Sequence, residues 1–230
     1  QCLTRCWQQV DDIRTHMLHF LENHDEQRLA SDFFAGDARR GRAPLLVSAL
    51  MDYCPMMIYF GQELGERGMD AEGYSGRDGR TTIYDYWTVD TVSRWRNGGK
   101  FNDKKLTGDE KRLREFYARV LALRESMPVL RSGHFYDLMY VNRHLHRQYV
   151  FVRQLEKQVL LVIANFDDQE ANLSIHLPEE FFRFIGQKGQ TEVRALDLLS
   201  EEETQVDFTP DRPLCVTVLP WNGLVLSIDL

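Results

Sequence analysis

"HMLHFLENHDEQRLAS", residues 16 to 31, runs from an apolar stretch directly into Glu-Asn-His-Asp. Asn and Asp hydrogen-bond their own backbone and tolerate unusual dihedrals, so a tight turn or a helix cap accounts for part of this pattern. The stretch before it, "THMLHFL" (15–21), has the continuous apolar character of a buried strand. Polar groups that follow such a strand stand where parallel α/β proteins gather their ligand-binding loops.

Outward from this stretch, the flanking segments support a parallel arrangement. Upstream, Leu3, Cys6, Trp7, Val10 and Ile13 recur at helical spacing and predict an amphipathic helix over residues 2 to 14. Downstream, a loop containing Gly36 and Gly41 leads into "APLLVSALMDY" (43–53), with Pro44 suited to a first helical turn and Pro55 as its stop. "MMIYF" (56–60) is a second apolar strand, and it too runs into polar residues, "GQELGERG". Helix, strand, loop, helix, strand, loop argues for a parallel sheet wrapped by helices. Residues 66 to 106 form a long Gly-rich, aromatic segment, of a length that in a compact domain marks a functional loop or an insertion. Thr107 and Glu110 then make a capping box ahead of an apolar stripe from Leu113 to Leu123, which reads as core, and Pro128 ends that helix.

From about residue 131 the apolar period changes to two. "QYVFVRQL", "QVLLVIANF", "ANLSIHLP", "EVRALDLL", "LCVTVLP" and "GLVLSIDL" predict short strands of an antiparallel β-sandwich. The expected organisation is therefore an α/β part, residues 1–130, followed by an all-β part, residues 131–230. The second has enough strands to close its own sandwich.

Composition excludes several function classes. With 230 residues, 43% of them hydrophobic, the chain can bury a sizeable core. A net charge of −7, with 28 Lys and Arg scattered among 35 Asp and Glu, leaves no basic stripe for nucleic acid or an anionic membrane. No apolar run approaches the roughly 20 residues of a membrane span. Cys2, Cys6, Cys54 and Cys215 form no metal-like pair and read as buried free thiols. Such thiols favour a reducing, cytoplasmic compartment and leave a periplasmic or secreted location open. The chain begins with Gln1 and has no signal pattern, which is expected of a sequence that starts inside something larger.

Four segments, in order, carry a resemblance to a known family. "FLENHDEQR" (20–28) resembles the last conserved block of the α-amylase family of glycoside hydrolases, where Asn-His-Asp follows a strand. "MMIYFGQELG" (56–65) is similar to the segment after that family's eighth strand, with its Tyr-x-Gly-Gln-Glu-x-Gly pattern. "LREFYARVLALRESMPVLRSG" (113–133) resembles the last barrel helix and the exit to the C-terminal domain, and "VLLVIANF" (159–166) a core strand of that domain. The resemblance implies the terminal part of a (β/α)8 barrel followed by an antiparallel β-sandwich.

It also implies roles. His24 would contact a sugar hydroxyl at the cleavage subsite, and Asp25 would stay ionised as a transition-state stabiliser of the oxocarbenium-like ring. Arg28 and Arg80 are further substrate-binding candidates, with an ordinary loop ion pair as the rival reading for Arg28. Tyr84, Tyr86 and Trp87 lie where family members place substrate-contacting side chains, although aromatic loops are also simply packed loops. Gln62 and Glu63 are expected to brace loops. A retaining glycosidase needs two more carboxyls, a nucleophile and a general acid/base, and the motifs that would hold them are missing from this sequence. They are expected upstream, as is any calcium site; no cofactor is expected in this segment. The implied partner is an α-glucan oligo- or polysaccharide, with self-association of an incomplete barrel as a second contact. A non-catalytic, amylase-like carbohydrate-binding or scaffold protein is the rival reading.

Overall fold

The computed structural model describes residues 2–10, 12–70, 77–81 and 89–228. Tyr84, Tyr86 and Trp87 lie outside the described residues. Helix α1, Cys2–Gln9, is shorter than the expected 2–14 span, and the chain turns through Ile13 into a 3₁₀ turn at Arg14–His16. Asp12 and Thr15 favour turns over helix interiors, which is why the apolar spacing does not carry the helix further.

Strands β1, His19–Phe20, and β2, Met56–Met57, pair in parallel, with His19 opposite Met56 and Phe20 opposite Met57. The expected parallel pair forms, but it is short and not buried. Met17, Leu18 and Phe20 are each 40% or more exposed. The reason is topological: among the described residues the sheet has only these two strands, so each has one neighbour and one open edge.

Between the two strands lies helix α2, Arg42–Leu50, with Pro44 in its first turn. Ala43, Leu45, Leu46, Val47, Ala49 and Leu50 are all buried, so this helix is apolar nearly all round and is enclosed on more than one side. Helix α3 spans Asp90–Arg96 and helix α4 spans Gly108–Ser126. The capping box forms as expected, with Thr107 Oγ1 accepting from the Glu110 N–H at 3.3 Å and Glu110 Oε2 accepting from the Thr107 N–H at 2.8 Å. Pro128 ends α4 and opens α5, Pro128–Ser132.

The rest of the chain is mostly antiparallel sheet: β3 (His134–Asp137), β4 (Gln148–Leu155), β5 (Gln158–Asn165), β6 (Ala171–Ile175), α6 (Glu179–Ile185), β7 (Gln190–Asp197), β8 (Glu203–Phe208), β9 (Leu214–Val218) and β10 (Gly223–Ile228). Six strands form one sheet in the order β3-β4-β5-β10-β7-β8, and β6 with β9 forms a two-stranded ribbon. Every expected strand is present; β3, β8 and α6 were not anticipated. In β8 only Val206 and Phe208 are buried, too few to stand out in sequence. Helix α6 packs Phe181 against Tyr136 of β3 and Phe208 of β8, with ring centroids 5.2 and 5.7 Å apart.

Strands β4 and β5 depart from simple alternation, because both of their faces are buried. Helices α2 and α5 cover one face of this sheet, so one apolar core runs from Ala43 to Ile228 across both parts. Gly223 makes the close approach possible. A Cβ there would lie 2.4 Å from Leu46 Cδ1 and 2.2 Å from the Ile163 carbonyl oxygen. The cysteines correct another expectation: Cys54 is buried, but Cys6 and Cys215 are exposed, and all three are free. Among the described residues no helix is long and apolar enough to cross a membrane.

Candidate functional site

The polar segment after β1 is a turn built by its own asparagine. Asn23 Oδ1 accepts the backbone N–H groups of Asp25 and Glu26, each at 2.9 Å. With the Asn23 side chain occupied by backbone, His24 and Asp25 are left to project. Their side chains are 48% and 75% exposed, and His24 Nε2 lies 3.5 Å from Asp25 Oδ1. An acceptor-only carboxylate beside an imidazole that can donate is a pair suited to neighbouring hydroxyl groups.

Below this turn is a buried ion pair. Glu22 and Arg28 are 2% and 0% exposed, and Arg28 Nη2 lies 3.2 Å from Glu22 Oε2. The other carboxylate oxygen, Glu22 Oε1, accepts the Leu29 N–H at 2.6 Å. Burial pushes the Glu22 carboxyl above its ordinary range, partly offset by the Arg28 guanidinium and the Leu29 N–H. Arg28 also donates through Nη2 to the Phe60 carbonyl at 2.7 Å and through Nη1 to Thr81 Oγ1 at 3.1 Å, and its guanidinium stacks over the Tyr59 ring at 4.7 Å. Arg28 is thus engaged in the ion pair that was its rival reading. It has no exposed surface with which to meet a sugar, because an arginine at this depth must find its partners inside the protein. Glu22, Tyr59 and Thr81 were not anticipated as part of the site; the available signal was a Glu and an Arg six residues apart, flanking the turn.

The end of β2 supplies the second wall. Gly61, at φ +80°, reverses the chain so that Gln62 Oε1 accepts the Tyr59 N–H at 3.1 Å, while Gln62 Nε2 donates to the Tyr117 hydroxyl of α4 at 3.1 Å. Gln62 therefore braces the loop. Glu63 is half-buried and makes no side-chain hydrogen bond or ion pair among the described residues. Glu66, for which no role was expected, braces this loop, with Oε1 accepting the Arg67 and Gly68 N–H groups and Oε2 accepting the Thr91 hydroxyl.

Residues 77–81 are tied to the turn by backbone. The Arg28 N–H donates to the Gly79 carbonyl at 2.6 Å, the Gly79 N–H donates to Gly68, and the Tyr59 hydroxyl donates to the Thr81 carbonyl at 2.7 Å. Arg80 is exposed on this segment, its N–H held by Asp78 Oδ1. The structure thus joins the segments that carry His24, Asp25 and Arg80 and places Arg28 beneath them. Among the described residues no group of three or more His, Cys, Asp or Glu is placed to hold a metal ion.

No family model matches the sequence, and no curated protein sequence matches it. Solved structures do match in fold. An Anoxybacillus α-amylase aligns with 99% of the chain at a TM-score of 0.61 and 15% identity. The α-amylase of Geobacillus thermoleovorans, complexed with acarbose, aligns with 99% at 0.62 and 14% identity, and the isomaltulose synthase of Klebsiella sp. LX3 with 98% at 0.59 and 18% identity. The chain spans 42%, 43% and 46% of these structures, respectively, less than half of each. The fold is that of a portion of α-amylase-family enzymes.

Proposed function

We propose that this chain is the C-terminal portion of a retaining α-glycosidase acting on α-glucosidic bonds of starch-like oligo- and polysaccharides, the end of its (β/α)8 barrel plus its C-terminal β-domain. The observation that carries the reading is the Asn23 turn, which presents His24 and Asp25 together at the end of a parallel strand. The open flanks of the two-stranded sheet agree with an incomplete barrel. Beside β1, between α1 and α2, lies a hollow of about 330 Å³ lined by Trp7, Met17, Leu18 and Phe20; beside β2, a second of about 420 Å³ is lined by Ile58, Phe60 and Trp95.

In this reading the Asp25 carboxylate accepts hydrogen bonds from the hydroxyls of the sugar whose ring flattens in the transition state. Hydrogen bonds of this kind strengthen as positive charge develops on the ring, and an interaction stronger there than in the ground state raises the rate. His24 donates to a neighbouring hydroxyl, and Arg80 lines the approach. The nucleophile and the acid/base lie upstream, and the chain alone is inactive because one further carboxylate cannot replace both. The test is Asp25→Asn in the enzyme that carries this chain, assayed on a soluble maltooligosaccharide. Loss of kcat by about two to three orders of magnitude with an unchanged melting temperature is expected. Activity within a factor of about three of wild type would overturn the assignment and favour a carbohydrate-binding scaffold.

A further inference from the structure

Resting on that reading, we propose that the buried Glu22–Arg28 pair is the positioning device of the site: it sets where His24 and Asp25 stand relative to Arg80 without itself touching a ligand. Glu22 closes the turn at its mouth. It immediately precedes Asn23, and its Oε1 holds the N–H of Leu29 on the far side, so residues 23–28 form a loop pinned at both ends by one carboxylate. Inside that loop Asn23 fixes the N–H groups of Asp25 and Glu26.

Arg28 then joins three separate segments through one planar group. Its guanidinium faces Glu22 at the end of β1, the Phe60 carbonyl at the end of β2 and Thr81 next to Arg80, all while lying on the Tyr59 ring. A lysine could supply the charge but not this fork, because an ammonium is a point charge with no fixed plane. The pair is also a poor device for stability alone. Buried ion pairs are often matched or bettered by apolar residues of the same volume, the Glu22 carboxyl is held above its ordinary range by burial, and among the described residues neither Arg28 Nε nor Glu22 Oε2 has a hydrogen-bond partner, so the two meet by charge alone. What the pair supplies that apolar packing could not is direction, since the hydrogen bonds of Arg28 to Phe60 and Thr81 and of Glu22 Oε1 to Leu29 fix these segments against one another.

Two measurements test this. In the enzyme that carries the chain, Arg28→Lys and Glu22→Gln are expected to lower kcat by about tenfold to a hundredfold while KM changes less than about threefold. In an Asp25→Asn background the same substitutions are expected to cost little more, because they act through Asp25. Equal losses in both backgrounds, or an unchanged kcat beside an Asp25→Asn variant that is itself impaired, would overturn the positioning role. On the 230-residue chain, hydrogen exchange provides a readout that does not depend on activity. Glu22→Gln is expected to speed exchange at Asp25, Glu26 and Leu29 by about tenfold or more while leaving the middle of α4 unchanged. Unchanged exchange at those three amides, or equal acceleration throughout α4, would overturn the proposal even if the glycosidase reading stands; an active Asp25→Asn enzyme would overturn that reading instead.

Discussion

Asn23, His24 and Asp25 are three adjacent polar residues with two different jobs. The Asn23 amide satisfies backbone donors, and only because it does so are His24 and Asp25 left exposed beside each other. A turn-former and an exposed neighbouring pair therefore coexist in this stretch. The same scale separates the cysteines. Burial, with a smaller push from Asp52, raises the Cys54 thiol to about 11, and its Sγ donates to the Arg14 carbonyl at 2.9 Å. Because the thiolate is the reactive form, iodoacetamide at about pH 8 is expected to label Cys6 and Cys215 while Cys54 in the folded chain is spared. Peptide mapping that found Cys54 labelled as fast as Cys6 would contradict its burial.

At the scale of elements, the start of α4 is where local chemistry and tertiary structure agree. Thr107 and Glu110 close the capping box, and Arg94 of α3 reaches the same Glu110 carboxylate with two of its nitrogens. Burial raises this carboxyl, but Arg94 and the Thr107 N–H outweigh it and hold the group below its ordinary value of 4.5. The unfolded chain therefore takes up this proton more readily than the folded one. The stabilisation is complete above the ordinary value and is lost as pH falls through the lower folded value. Urea denaturation across about pH 3 to 7 should show that Glu110→Gln flattens part of the acid limb, and Thr107→Ala should cost about 1 kcal/mol at neutral pH. An acid limb identical to wild type in Glu110→Gln would remove Glu110 from this account.

For the whole molecule, the shared core is the main consequence of α2 and α5 lying on the face of β4 and β5. Leu46, with no exposed surface, touches both parts. Leu46→Ala is expected to cost about 2–5 kcal/mol and to lower one common transition, followed in parallel by helix signal and by near-ultraviolet aromatic signal. Two separated transitions would show that the parts unfold independently. The open flanks of β1 and β2, with Ile13, Leu18, Phe20 and Phe60 each more than 40% exposed, predict concentration-dependent association of the 230-residue chain on its own. Sedimentation at several concentrations measures it, and a strict monomer at every concentration would contradict the prediction.

The features that the sequence determined by itself are ones whose cause lies within a few residues. The capping box at Thr107 and Glu110, the Pro128 break, the strand segments after residue 147 and the apolar-to-polar switch after Phe20 rest on local hydrogen bonding and local periodicity, so they are legible in one dimension. The tertiary structure alone decided what depends on neighbours distant in the chain. It shortened and exposed β1, because a strand with one partner has nothing to cover its outer side. It buried both faces of β4 and β5, because two helices outside the hairpin, α5 ending at Ser132 and α2 ending at Leu50, lie across them. It turned Arg28 inward, because Glu22, Phe60, Tyr59 and Thr81 converge on one guanidinium only after the chain has folded. A charged residue's partner is set by three-dimensional proximity, and nothing in the spacing of residues 22 to 28 specifies that the other contacts come from residues 59, 60 and 81.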